Sequence, residues 1–330
     1  MGEIVITHAD TNRRLDKFLF MYLNNASRSF IYKLLRKKRI KLNDKRAEGG
    51  ELLQAGDIIG LFLSQETLAN CRAERVVDDF AKDTAKTFGK PPIHNMPEII
   101  FEDENLLIIN KPAGMPSHGG MNGKDAHLLS RVLLYLRETG AYPPDATFTP
   151  ALCNRLDVNT SGLVICGKNY QALRTINALF ANSGSVDKEY LAVVDGKLFG
   201  SATLEGYYQK DASTNIAHIT NANHEPRAIT AYKSLAISNG RTLLSVNPIT
   251  GRSHQIRAHL ASIGYPLSGD KKYGGKPNPY ASAQLLHCCR LTLDKPVLSY
   301  PTGISWAAQP PDGFNKCIAE EFNSFVLKQA

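Results

Sequence analysis

No stretch of the 330-residue chain stays apolar for long: the longest uninterrupted run is Phe18 to Leu23. That is far below the roughly 18 residues a membrane-spanning helix needs. The opening residues Met1-Gly2-Glu3-Ile4-Val5-Ile6 have no basic stretch, no long apolar core and no small-residue cleavage site, so a secretory leader is not expected. Ile6 stands where a myristoylation motif requires Ser or Thr. Cysteine is sparse and unpatterned. Cys71, Cys153, Cys166, Cys288, Cys289 and Cys317 form no spaced framework and no C-x-x-C pair. This argues against a disulfide scaffold and a cysteine zinc site, and for reduced thiols in a cytoplasm. His287-Cys288-Cys289 lies in an apolar strand, where neighbours point to opposite faces and cannot converge on a metal. A Gly-rich phosphate loop is also missing. With 43% hydrophobic and 21% charged residues, the composition excludes collagen and global disorder.

What the chain does have is length for two domains and an excess of positive charge, +8 overall with a pI near 9.1. The excess is concentrated at the front, where residues 1–65 hold twelve Lys and Arg against seven acids. The segment Ser27 to Arg39 places Phe30 with Leu34 and Ile31 with Leu35 at i,i+4, one apolar helical face. Arg28, Lys33, Arg36 and Lys37 lie off that face, and Ser27 or Ser29 can cap its start. Ile40-Lys41-Leu42 then alternates as a short strand before an Asn43-Asp44 turn, and a second strand spans Asp57 to Leu63. A charge run alone reads as a solvated face. At a helix end inside a compact module of about 60 residues, it reads better as RNA contact.

Residues 66–95 are charged or small, weakly periodic and end near Pro91-Pro92, the character of a linker. Residues 96–330 form the second domain. Its reading is α+β with a mostly antiparallel sheet, from a hairpin over Glu98 to Ile109, a helix from His127 to Arg137, and strands recurring at Gly162 to Cys166, Tyr190 to Val194, Ala228 to Leu235, Thr242 to Asn247 and Leu285 to Leu293.

Three segments bear chemistry. Arg155-Leu156-Asp157 opens a Thr160-Ser161-Gly162 turn into an apolar strand, placing Asp157 on a loop with a rigid anchor. Its carboxylate suits a nucleophile or base; taken alone, an aspartate holding the amides of its own turn explains it as well or better. In Thr250 to Leu260, Gly251 turns the chain, Ser253 caps a helix, Ile256 and Leu260 point inward, and Arg252 and Arg257 offer two guanidiniums near the helix start. Ser253-His254 cannot be a hydrolase pair, since helix neighbours diverge. His254 and His259 are spaced poorly for one metal and read as polar decoration. Tyr190, in Lys188 to Val193, reads by itself as a packing residue.

Taken together, Asn154 to Ile165, Lys188 to Val193, Thr250 to His259 and the loop Lys111-Pro112-Ala113-Gly114 resemble RluA-type pseudouridine synthases, in that family's order and spacing over about residues 97–300. The first 65 residues resemble the S-four-type RNA-binding domain that often precedes such a catalytic domain. The resemblance implies a pseudouridine synthase fold and a cofactor-free, metal-free isomerase. It would break the N1–C1′ bond of a uridine in RNA, turn the uracil and rejoin it through C5. Asp157 matches the catalytic aspartate, Tyr190 the tyrosine that packs on the uracil, and Arg257 the arginine that pairs with the carboxylate. Arg155 matches the position that fills the space left by the extruded base, with Arg252 a further RNA contact. Extrusion costs roughly a few kcal/mol, and stacking returns about 1 to 3.

One position departs from the pattern. The family's usual His before Arg-Leu-Asp is Asn154 here, which hydrogen-bonds but does not titrate. The resemblance points to large-subunit ribosomal RNA, with transfer RNA second; a monomer with no protein partner is the default, since no exposed heptad or long apolar stripe asks for one. The competing reading is a non-catalytic RNA-binding or ribosome-assembly factor on the same scaffold.

Overall fold

The computed structural model describes residues 2–72, 96–119, 127–143, 146–182, 184–211, 213–220, 226–238 and 240–322. Most of the stretch read as a linker, residues 73–95, lies outside them.

The front module is a four-stranded sheet in the order β1-β4-β2-β3, built from Gly2–Val5 (β1), Ile40–Leu42 (β2), Lys45–Arg46 (β3) and Ile58–Leu61 (β4). It packs against helices Leu15–Tyr22 (α1) and Arg28–Arg36 (α2). The Ser27 side chain accepts the Phe30 N–H at 3.3 Å and starts α2, whose Ile31, Leu34 and Leu35 are buried. Asn43 and Asp44, with φ of 49° and 59°, supply the two left-handed residues of a tight hairpin turn between β2 and β3. Gln65–Cys71 is a helix (α3) capped by Ser64, and its Leu68 and Cys71 pack on the front core. The module thus extends past residue 65 into the stretch read as linker. The small, weakly periodic helix buries Cys71 and half-buries Leu68, so it carries little sequence signal.

The second body is an eleven-stranded sheet. In chain order its strands are Ile99–Glu102 (β5), Leu106–Lys111 (β6), Ala151–Leu152 (β7), Ser161–Gly167 (β8), Val186–Asp195 (β9), Ser201–Asp211 (β10), Ile216–Thr220 (β11), Arg227–Ile237 (β12), Arg241–Pro248 (β13), Leu286–Leu293 (β14) and Ile304–Ala307 (β15). The main path runs β11-β10-β12-β13-β9-β14-β8-β6-β5. Every pairing among the described residues is antiparallel except β14 with β8. Helix Leu128–Glu138 (α4) buries Leu128, Val132 and Leu136, one stripe at i,i+4, and begins with a reciprocal cap between His127 and Ser130. Helix Tyr170–Ala181 (α5) is capped by Asn169. Burying each large aliphatic side chain contributes about 1.5–3 kcal/mol. Helices Gln255–Ser262 (α6) and Asp312–Glu321 (α7) complete the body.

One row of the sheet matters most. Lys111, Gly162, Cys288, Tyr190 and Val246 stand side by side on five adjacent strands. Gly162 has φ 118°, and a Cβ there would lie 2.3 Å from the Cys288 carbonyl oxygen. Only glycine lets β8 and β14 run parallel at this point, and that pairing brings the loop before β8 over the row. The two bodies also touch directly. Asn12 Nδ2 donates to Gln171 Oε1 at 2.9 Å, the Thr147 hydroxyl donates to the Asp10 carboxylate, and the Arg13 guanidinium sits 5.2 Å from the Tyr170 ring centre.

Candidate active site

Asp157 lies in the turn that feeds β8, a strand buried along its whole length. Two fixtures hold the turn. Ser117 Oγ donates to the Leu156 carbonyl at 2.8 Å and accepts the Leu156 N–H at 3.1 Å. Asn154 Nδ2 donates to the Leu163 carbonyl at 3.1 Å, and its Oδ1 accepts the Ile165 N–H at 2.8 Å. Asn154 therefore closes the loop back on its own strand, with both ends of its amide spent on backbone.

Lys111 is the third support. It is fully buried, and its ammonium donates to the carbonyls of Met115 (2.8 Å), Pro112 (3.0 Å) and Val158 (3.1 Å). Three acceptors use all three N–H groups, and a neutral amine would leave one unanswered. Burial pulls the Lys111 pKa down from 10.5 to about 8, with the Asp157 charge opposing the drop. Below about 8 folded and unfolded chains both hold this proton. Between about 8 and 10.5 only the unfolded chain does, so this group by itself makes stability rise with pH there. The loop geometry behaves oppositely, because it is built for the ammonium. Turnover at saturating substrate is therefore expected to fall as pH rises through about 8 while the protein stays folded; a rate unchanged up to pH 9 would contradict this role.

Arg257 reaches the carboxylate from α6. Its Nε and Nη2 form a fork with Asp270 at 2.7 and 2.8 Å, and its Nη1 lies 3.4 Å from Asp157 Oδ2. Burial works against the cation, but the Asp270 hydrogen bonds and the two carboxylates outweigh it and hold its pKa above the ordinary value. Its guanidinium also stacks 4.8 Å from the Tyr273 ring centre. Tyr190 enters from β9. Burial, with the Cys288 thiol and Asp157 adding to it, pushes its phenol well above its usual pKa, so it is protonated at neutral pH.

Asp157, Tyr190, Arg257, Arg155 and Arg252 all line one cavity of about 420 Å³, within the range of small-ligand sites. Arg155 and Arg252 are exposed, whereas Arg257 is buried. Arg28, Lys33 and Arg36 on α2 and Lys37 at its C-terminal cap are exposed in the front module, apart from the residues lining that cavity.

Two expectations need correction. Ser253 does not cap α6: the capping position is His254, in a left-handed conformation at φ 55°, and the Gln255 side chain accepts the Arg252 N–H at 3.0 Å. Nor is His254 surface decoration. It lines the cavity, with Nε2 3.7 Å from Asp157 Oδ2 and Nδ1 3.0 Å from the Tyr273 hydroxyl. The left-handed residue breaks the helical phase on which the spacing argument depended. His259 is also not decoration, being buried against the Thr230 hydroxyl at 2.8 Å, with burial lowering its pKa to about 4. Asp270 and Tyr273 had no sequence signal, since their loop has no periodicity. His287 packs as expected, between Ser161 Oγ and the Ala308 carbonyl. No group of metal-ligating side chains occurs among the described residues, nor does a helix long and apolar enough to cross a membrane.

The sequence profile of RNA pseudouridylate synthases matches residues 105–262, and that of S-four domains matches residues 13–59. A ribosomal large subunit pseudouridine synthase C from Rickettsia bellii is 33% identical over 318 residues, 95% of this chain and 99% of that protein. A protein of the same name from Escherichia coli is 30% identical over 275 residues, 83% of this chain and 80% of that one. Among solved structures, Human RNA Pseudouridylate Synthase Domain Containing 4 aligns with a TM-score of 0.54 at 21% identity, covering 74% of this chain and 97% of the other, a likeness of fold. The first profile spans Asp157, Tyr190 and Arg257, the three side chains that the fold gathers from separate segments, and with the near full-length relatives it places this chain in the RNA pseudouridylate synthase family.

Proposed function

We propose that this chain isomerises uridines of large-subunit ribosomal RNA to pseudouridine, with Asp157 as the catalytic carboxylate. The observation that carries the proposal is the convergence of Asp157, Arg257 and Tyr190 on one cavity, with Arg257 fixed by its fork to Asp270. The choice of RNA rests on the names of the relatives from Rickettsia bellii and Escherichia coli. In the reaction the N1–C1′ bond breaks, the uracil turns, a C5–C1′ bond forms and the hydrogen on C5 leaves as a proton. Asp157 serves as nucleophile or base; Arg257 holds it by one nitrogen while Asp270 holds the other two. Tyr190 starts as a phenol, so its first contribution is packing on the uracil. For it to take the C5 proton, its own proton must pass to a neighbour in the same step. Arg155, exposed beside the cavity, fills the space of the extruded uridine.

The test is tritium release from RNA labelled at uridine C5, using large-subunit ribosomal, small-subunit ribosomal and transfer RNA. Forming the new carbon–carbon bond must expel that hydrogen. Release from large-subunit RNA is the expected result; release from transfer RNA alone would move the substrate to that class.

Arg28, Lys33, Arg36 and Lys37 are proposed to dock the front module on RNA phosphates. Each neutralised phosphate contributes about 0.7 to 0.9 to the slope of log affinity against log salt. Replacing Lys33, Arg36 and Lys37 by Gln together is expected to flatten that slope by about 2 to 3 in a filter-binding series. An unchanged slope would remove α2 from the interface.

A further inference from the structure

A chain of polar contacts runs from strand β11 through Tyr273 and His254 to Asp157. Ala217, on edge strand β11, points its backbone N–H at the Tyr273 hydroxyl, 2.8 Å away. A backbone N–H only donates, so the phenolic oxygen accepts there. That oxygen's own hydrogen can then go to its other neighbour, His254 Nδ1 at 3.0 Å. An Nδ1 that accepts leaves the proton of a neutral imidazole on Nε2, the nitrogen 3.7 Å from Asp157 Oδ2. The backbone shows that the placement of the ring is enforced. His254 is held at φ 55°, a left-handed conformation that costs a non-glycine residue energy and persists where surrounding contacts enforce it.

Resting on the reading of Asp157 above, we propose that His254 is a positioning residue for the catalytic carboxylate: Ala217 and Tyr273 lock it in the Nε2–H tautomer, and it donates that hydrogen to Asp157 when RNA closes the site.

The separation of 3.7 Å is that of the free protein, and such contacts commonly tighten in the substrate complex. Burial, helped by Arg257, Lys272 and Lys210, lowers the His254 pKa against the pull of Asp157, which keeps the ring neutral at pH 7. Asp157 then has two donors of different kinds. Arg257 approaches with charge, already committed to Asp270, and His254 approaches with a neutral N–H whose direction is set by strand β11. The wiring links the seating of the β10–β11 hairpin to the orientation of the carboxylate, since moving Ala217 removes the donor that turns the Tyr273 hydroxyl.

Two substitutions separate the two ends of the ring. In His254→Gln the amide nitrogen takes the place of Nε2 and keeps a donor toward Asp157. In His254→Asn, a residue suited to the left-handed conformation, the shorter amide keeps a partner for Tyr273 and loses the reach to Asp157. The expected result is a fall of about tenfold to a hundredfold in kcat for His254→Asn, with KM for RNA unchanged and most of the loss recovered in His254→Gln. Full activity in His254→Asn, or equal impairment of both variants, would overturn the proposal. Nitrogen-15 spectra of histidine-labelled full chain, with the His254 signal identified by its loss in His254→Gln, read the tautomer directly. A protonated Nε2 with an accepting Nδ1 is expected, while the opposite tautomer or an imidazolium at pH 7 would refute the wiring. If the wild type released no tritium from any RNA, the reading of Asp157 would fail, and the spectra would still decide the wiring separately.

Discussion

Replacing Asp157 by Asn is expected to lower tritium release from C5-labelled RNA by at least about 10³-fold while leaving RNA affinity within a few-fold of wild type. The size follows from the role. An amide neither attacks carbon nor takes a proton at neutral pH, and among the described residues the cavity lining offers no other carboxylate to replace it. The separation of chemistry from binding follows from charge. Asp157 repels phosphates, so removing it cannot weaken docking through the basic front module. The variant is also expected to stay folded, because Arg257 keeps its fork to Asp270 at 2.7 and 2.8 Å and is not left as a buried cation without a partner. Asn also keeps an oxygen for Arg257 Nη1 to approach. A non-catalytic assembly factor on this scaffold predicts no change in any readout, so the measurement discriminates between the two. Equal release by wild type and Asp157→Asn would move the chemistry elsewhere.

What could be read from the sequence was what local pattern encodes. The α2 face, the Asn43-Asp44 turn and the α4 stripe follow from periodicity and turn chemistry. The alternation of strands with few helices was enough for an antiparallel α+β body. Asp157, Tyr190 and Arg257 were legible only as a set: singly, each has an ordinary structural explanation, and the fold brings them together across a separation of 100 positions in the chain. The elements not read include helices α1, α5 and α7, although each buries apolar residues, and strands at the sheet edge. Strand β10 is half-buried or exposed along its whole length, and its short alternation over Ser201 to Glu205 ends at Gly206. Asn154 was legible as a residue that hydrogen-bonds but does not titrate, and its two backbone hydrogen bonds match that reading. His254 was misread because a helix was phased through Ser253, whereas one residue at φ 55° turns the side chain into the cavity. Asp270 was invisible because its partner lies thirteen positions back, across a helix end and a loop.

That hidden aspartate sets the second large expectation. Arg257→Met is expected to destabilise the second body by about 3–5 kcal/mol and to abolish turnover. The destabilisation comes from Asp270, whose side chain is 1% exposed and would lose both arms of its fork. The loss of turnover comes from Asp157, which would lose its charged support at 3.4 Å. The two effects share an arginine but not a cause, so they can be separated. Adding Asp270→Asn to Arg257→Met removes the unpaired buried charge and is expected to restore much of the stability, as a coupling energy of about 1 to 3 kcal/mol. Turnover stays lost, because the double variant lacks the charged support at 3.4 Å and keeps only the neutral His254 ring at 3.7 Å from the carboxylate. Trp306, the only tryptophan in the chain, is buried in the core of the second body, so its fluorescence in urea reports that body's unfolding without the front module. Equal midpoints for Arg257→Met and the double variant would mean that Asp270 finds another partner or takes up a proton. A double variant that regained turnover would show Arg257 to be a scaffold for Asp270 alone, and would leave His254 as the sole donor aimed at Asp157.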